Sequence, residues 1–350
     1  MKTSFISTLT LWNSPRTGVA RMQADLATAN EELNTGRYAD TGLQLGYRTG
    51  STLDLRQEYN ELIAQQDRNS LTNLRLNNTQ TTLDRTRKDG EDLLATVVPG
   101  KLSDGSATVV MQESASRLKS LVSNLNASAG GQYLFAGIDT MNRPVADYEA
   151  TPASNAANAV KTAFTAAFGF AQGDQPGSAA ITPAQMQTFL DGPFTALFAD
   201  APWSSNWSSA SSRNITSEIA RGETVVTSAN ANAVPLRQLA MAYVAGSDLG
   251  LSALSKPTQA VVFAKMRDLL GTGTAGTSGI QSELGRVQAK VTSANAGIDT
   301  QKLVMNKALQ GLESVDATDA NTRIEQLKVQ IQMSYSVTAQ LRKLSLMNFI

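Results

Sequence analysis

Apolar residues along this chain recur mostly at helical spacing, and the cleanest run is Asp316 to Ile350. That stretch has no Pro or Gly. Ile324, Leu327 and Ile331 form one stripe, and Val329, Met333 and Val337 form another. Leu341, Leu344, Met347 and Ile350 continue the pattern. Offsets of three and four predict a helix, with an apolar arc wider than one partner helix covers. Such a helix must be buried by its own chain, by neighbouring molecules, or by both.

Near the other end, Ser14 could cap a helix that has Pro15 at its first position and runs to Leu33. Val19, Met22, Leu26, Ala29 and Leu33 alternate three and four apart, the seam of a coiled coil. Glu31 and Glu32 sit unfavourably for the helix dipole at its end. Gly36, Gly42, Gly46 and Gly50 then predict a turning loop. A longer helix is expected over Ser51 to Val98, ended by Pro99-Gly100. Its track of Leu55, Tyr59, Leu62, Gln66, Asn69, Asn73, Leu76, Gln80 and Leu83 mixes apolar residues with amides. This fits either a solvated bundle helix or a coiled coil whose register the amides specify.

Leu102 to Gln112 reads as a turn with a short strand, or as the lead into a helix. Gln112 to Ala129 is helical, with Leu118, Leu121, Val122 and Leu125 on one face. The character then turns strand-like at Tyr133, Leu134 and Phe135, which glycines bound. Between Thr140 and Thr227 Pro, Gly, Ser, Asn and Asp become frequent. Trp203, Trp207 and Phe164, Phe168, Phe170, Phe189, Phe194 and Phe198 gather there. This middle segment is expected to be α+β with its own aromatic core. It should hold a short helix started by Thr182-Pro183 and a hairpin around Arg221-Gly222. Helical spacing returns after Pro235 through Leu236, Leu239, Ala240 and Tyr243. A second helix covers Thr258 to Leu270, and a Gly/Thr-rich loop covers Gly271 to Gly279. A long polar helix follows from Ile280 to Leu312.

The pattern predicts a mainly α fold. Long N- and C-terminal helices pair as an antiparallel coiled-coil bundle, and an α+β domain is inserted between them. The expected division is a terminal domain of residues 1–45 and 315–350, a helical rod of 46–140 and 235–314, and an outer domain of 141–234.

Composition narrows the chemistry. Among 350 residues there is no His and no Cys. This excludes a Ser-His-Asp triad, imidazole metal ligands, disulfides and thiolate nucleophiles. Carboxylate, Lys or Ser chemistry stays open. Thirty basic and thirty acidic residues balance, which argues against nucleic acid or an anionic membrane as the main partner. No stretch approaches the roughly 18 apolar residues of a membrane span. The segment MKTSFISTLTLW is too polar for a secretory signal.

Gly271 to Gly276 matches G-x-G-x-x-G but follows a helix rather than a strand, so no dinucleotide site is expected. Ser116 to Lys119 matches S-x-x-K without its partner motifs. The N-x-[ST] matches at Asn77, Asn126, Asn206 and Asn214 are of a kind common by chance. Asp316 and Asp319 read as helix-capping residues rather than calcium ligands. No catalytic, metal or cofactor site is expected.

Two end segments carry a resemblance. LATANEELNTGRYADTGLQLG, Leu26 to Gly46, resembles the N-terminal region of flagellins. SYSVTAQLRKLSLMNFI, Ser334 to Ile350, is similar to their C-terminal region. GGQYLFAGIDTMNRP, Gly130 to Pro144, supplies Gly131, Tyr133, Phe135 and Gly137. It resembles the G-x-Y-[LI]-F-A-G segment of the third hook-associated proteins, which form the hook–filament junction. The resemblance implies a structural, non-enzymatic flagellar component, an adaptor joining the hook-side cap protein to the flagellin filament. LSLMNFI is more similar to some flagellins, so a divergent flagellin is the alternative.

The family implies export through the flagellar type III channel without a cleaved signal, and an extracellular location. It also implies terminal helices that order on assembly. Implied partners are flagellin, the hook-side hook-associated protein, copies of the chain in a ring, and an export chaperone at the C-terminal helix. Assembly contacts are expected from Val19, Met22, Leu26, Leu33, Ile324, Leu327, Ile331, Met333, Val337, Leu341 and Leu344.

Overall fold

A computed structural model describes residues 8–98 and 105–347, with side chains over 16–98 and 105–340. In chain order the elements are α1 (Thr8–Thr35), α2 (Thr41–Leu45), α3 (Thr49–Thr96), α4 (Ser106–Leu125), β1 (Ser128–Ala129) and β2 (Gln132–Tyr133). The middle holds α5 (Asn155–Phe168), α6 (Gly177–Ala180), α7 (Pro183–Phe189), α8 (Asp200–Asn206), β3 (Thr216–Ala220) and β4 (Glu223–Val226). Then follow α9 (Val234–Ser247), α10 (Lys256–Glu313) and α11 (Ala317–Met347). The fold is mainly α, with long terminal helices and a middle that mixes short helices and strands. Contacts divide the chain into two compact units, residues 1–64 with 298–350, and residues 65–297.

In the first unit α1 packs along α11. Gln23 Nε2 donates to Tyr335 Oη at 3.0 Å, and Arg323 Nη1 donates to Glu32 Oε2 at 3.3 Å. Early residues of one helix meet late residues of the other, so the pair is antiparallel. Helix α1 starts at Thr8 and runs through Ser14-Pro15 instead of starting there. A proline withholds one amide donor, a loss this helix accommodates. The expected glycine loop is largely helical. Asp40 caps α2 by accepting from Leu43 N at 2.8 Å. A 3₁₀ turn over Gly46–Arg48 leads into α3. Only Gly36 and Gly46 of its four glycines use positive φ, at 68° and 52°. At the start of α11, Asp316 Oδ1 accepts from Thr318 N at 2.7 Å, the capping role expected of it.

In the second unit the amides of α3 have definite partners. Asn69 Nδ2 donates to Ile219 O at 2.8 Å and to Asn295 Oδ1 at 2.7 Å. Gln65 Nε2 reaches Glu218 O, and Gln80 Nε2 reaches Gln281 O, both at 2.7 Å. A one-residue slip of α3 would break these long-range bonds, two of which (Asn69 and Gln80) come from amides on the expected track.

The Gly/Thr segment Gly271 to Gly279 is not a loop. It lies inside α10, which runs unbroken for 58 residues. A Cβ on Gly276 would come within 2.4 Å of Pro235 Cγ, and one on Gly273 within 2.9 Å of Leu239. These glycines let α10 approach α9 closely. Thr274 and Thr277 return their hydroxyls to the Leu270 and Gly273 carbonyls at 2.7 and 2.8 Å, satisfying them inside the packed face.

Strands β1 and β2 form a hairpin in which Ser128 pairs with Tyr133 and Ala129 with Gln132. Gly130 and Gly131, at φ 58° and 78°, make the two-residue turn that needs positive φ at both positions. The strand expected through Phe135 stops at Tyr133. Phe135 O instead accepts from Ala231 N at 2.8 Å, which draws the chain out of the hairpin. Strands β3 and β4 pair around Arg221-Gly222 as expected. In the middle segment Thr182 and Gln185 form a capping box at α7. Trp203 stacks on Trp207 at 5.0 Å and 12°, and Tyr148 stacks on the other side of the same column. Phe198, Phe194, Phe189 and Phe164 extend it. Each such pair adds about 0.5–1.5 kcal/mol beyond area burial.

Candidate assembly interface

The helical seam predicted from spacing separates into two faces. On α1, Val19 and Ala29 are buried and Met22, Leu26 and Leu33 are half-buried. On α11, Ala320 and Ile324 are buried and Leu327 and Ile331 are half-buried, followed by Ser334 and Thr338 at the same heptad positions. This is the face α11 shares with α1. The second stripe stays in solvent: Val329, Met333 and Val337 are 50%, 55% and 52% exposed, and Tyr335 beside them is 53%. One partner helix therefore covers only half of the apolar arc. Leu341 and Leu344 lie on the helical backbone of α11, but their side chains fall outside the described residues.

Two buried glutamates hold this region together, Glu32 near the end of α1 and Glu313 at the end of α10, and neither was singled out as a site residue from sequence. Glu313 is 2% exposed. It accepts from Arg56 Nε at 2.7 Å and meets Arg37 Nη1 at 3.7 Å. The Glu313 hydrogen bond holds the Arg56 guanidinium above its ordinary range. Glu32, 7% exposed, pairs with Arg323 and also accepts from Ala39 N at 3.3 Å. Backbone bonds complete the clasp: Tyr38 N donates to Glu313 O at 3.0 Å, and Val315 N donates to Gly36 O at 3.1 Å. The one hint in the sequence was a pair of glutamates at the wrong end of α1 for the helix dipole. Glu32 sits there because it ties down the connector.

The Gly131, Tyr133, Phe135 and Gly137 motif is a rigid element of the second unit. Phe135 is fully buried and Tyr133 half-buried. Gly137 has φ 64°, and a Cβ there would lie 2.3 Å from Ser211 O, so only glycine fits. Arg75, which the sequence did not mark, reaches from α3 and donates from Nη2 to Tyr133 O at 2.7 Å. Its half-burial lowers the guanidinium from its usual range. Among the described residues no group of three or more His, Cys, Asp or Glu gathers, and no helix is long and apolar enough to cross a membrane.

Residues 6–140 match the bacterial flagellin N-terminal helical region, and residues 268–350 match the bacterial flagellin C-terminal helical region. The two matches span well over half of the chain and fall on the helices just described. No curated protein matches the chain in sequence. Among solved structures, the fold is similar to that of a protein described as a flagellar hook-associated protein from Vibrio parahaemolyticus. The TM-score is 0.51 at 16% identity, over 75% of this chain and 96% of that one. The chain belongs to the flagellin-like family. That family is structural rather than enzymatic and builds the extracellular flagellum.

Proposed function

We propose that this protein is the adaptor between the hook-side hook-associated protein and the flagellin filament. The observation that carries the reading is the fold shared over 96% of the length of a hook-associated protein. The Tyr133 to Gly137 segment supports it. In this reading the Val19, Met22, Leu26 and Leu33 face pairs with Ile324, Leu327 and Ile331 within one chain. Met333 and Val337, with Leu344 a heptad further along the sequence, meet neighbouring molecules: other copies in a ring, flagellin on one side and the hook-side protein on the other. Covering an exposed apolar stripe offsets the conformational entropy lost when the ends order.

Residues 1–45 with 315–350 form the assembly domain, 46–140 with 235–314 the rod, and 141–234 the outward domain. Export proceeds without a cleaved signal, and a chaperone shields α11 beforehand. A second reading, a divergent flagellin, is favoured by the LSLMNFI sequence. Immunogold labelling of isolated flagella tests the choice. Label confined to the hook–filament boundary is the expected result. Label along the whole filament would make the chain a flagellin instead.

A further inference from the structure

A cavity of about 360 Å³ opens beside the Tyr133 hairpin, lined by Lys119, Val122, Ser123, Asn126, Tyr133, Arg143 and Asp147. Hydrogen bonds hold the segments that carry its lining. Lys119 and Ser123 stand one turn apart on α4. Asn126 grips the strand-like segment that carries Arg143: its Oδ1 accepts from Val145 N at 3.0 Å and its Nδ2 donates to Val145 O at 2.9 Å. Ala146 N and Ser209 N fix the same segment from the other side, bonding Trp207 O and Pro144 O at 2.8 and 2.9 Å. Arg75 and the Gly-Gly turn hold Tyr133.

Within this rigid frame both cations are exposed, and neither Lys119 nor Arg143 makes an ion pair among the described residues. Asp147 lines the same cavity without pairing with either. Two cations and one carboxylate leave a net single positive charge, which suits a monoanion better than a phosphate dianion that Asp147 would repel. Ser123 and Tyr133 add hydroxyl donors, and Val122 gives the methylenes of a side chain an apolar wall.

We propose that this cavity receives the carboxylate of an acidic side chain borne by a partner protein. An exposed ion pair holds little by itself. A free acid would therefore not be retained, whereas a carboxylate tethered to a larger contact gains effective concentration. The proposal does not depend on which flagellar position the chain occupies.

Fluorescence anisotropy with labelled decaglutamate at low salt tests it on the full chain. The peptide should bind, should weaken as salt rises, and should bind about threefold or more weakly to K119Q/R143Q. D147N should bind it more tightly, because the competing carboxylate is gone. The three side chains are exposed, and far-UV circular dichroism checks that the variants fold. Absence of binding, or equal binding by K119Q/R143Q, overturns the proposal. Glutarate that displaces the peptide at matching carboxylate concentration overturns the assignment to a protein partner, because it marks a site for free acids.

Discussion

Arg56 Nε donates to Glu313 Oε1 at 2.7 Å, and the two sides of this bond differ sharply in exposure: the arginine is 45% exposed and the glutamate 2%. The carboxylate has lost its water and depends on its partners, whereas the arginine can return to solvent. Arg56→Ala should therefore destabilise the paired ends by about 1–3 kcal/mol, since a buried charge loses its main donor. Adding Glu313→Gln should recover part of that loss. Chemical denaturation over the double-mutant cycle measures it, and strictly additive effects would show that the pair contributes nothing as a pair.

The two faces of α11 predict opposite phenotypes. Ile324 is 3% exposed, so Ile324→Asp buries an unpaired charge and should separate α11 from α1 in the isolated chain, at a cost of several kcal/mol. Val337→Asp, on the exposed stripe, should leave that pair intact and still block incorporation into flagella. Hydrogen exchange over α1 and α11 reads the first effect, and attachment to isolated flagella reads the second. Normal attachment of Val337→Asp would remove the outer stripe from the interface.

Neighbouring glycines in α10 should respond with opposite sign. A Cβ at 276 would clash with Pro235 at 2.4 Å, whereas one at 279 meets nothing within 4 Å. Gly276→Ala should cost about 1–3 kcal/mol through overpacking. Gly279→Ala should stabilise by roughly 0.5–1 kcal/mol, because alanine loses less backbone entropy in a helix. Thermal unfolding of the two variants side by side is the check.

Tyr148 Oη donates to Asp248 Oδ2 at 2.6 Å beneath the aromatic column. Burial raises the Asp248 carboxyl above its ordinary range, the tyrosine bond lowers it, and Glu149 nearby raises it again. A group raised in the folded state contributes stability that is whole below its unfolded pKa and is lost as pH rises through the folded value. Stability should thus decline as pH climbs from about 4 to that raised value. Asp248→Asn should flatten the decline, and Tyr148→Phe should extend it to higher pH. Denaturant midpoints from about pH 4 to pH 8 decide it, and an unchanged slope in Asp248→Asn would assign the decline to other groups.

Much of the fold was legible because its signals are local. Alternating threes and fours marked the α1 seam, Thr182-Pro183 marked the start of α7, and Arg221-Gly222 marked a hairpin. Each depends on residues within a few positions of one another. The largest error has a packing cause. Gly271 to Gly279 looked like a loop because glycine weakens a helix in isolation. Here those residues sit where α9 leaves no room for a side chain, and close packing outweighs propensity. Gly42 and Gly50 are helical without any such packing: Gly42 sits behind the Asp40 cap of α2, and a Cβ on Gly50 would meet nothing within 4 Å.

The sequence by itself determined most of the helical segments, though not the glycine-rich ones, and which chemistries are impossible without His or Cys. It also established that the apolar arc of α11 exceeds the reach of one partner. Only the tertiary structure decided which half of that arc α1 takes, leaving Val329, Met333 and Val337 in water. The same holds for the clasp around Glu32 and Glu313 and for the hold of Arg75 on the Tyr133 carbonyl. The physical reason is range. Helical period is written in neighbouring residues, whereas a buried carboxylate is tolerated only where arginines far away in the chain arrive to meet it.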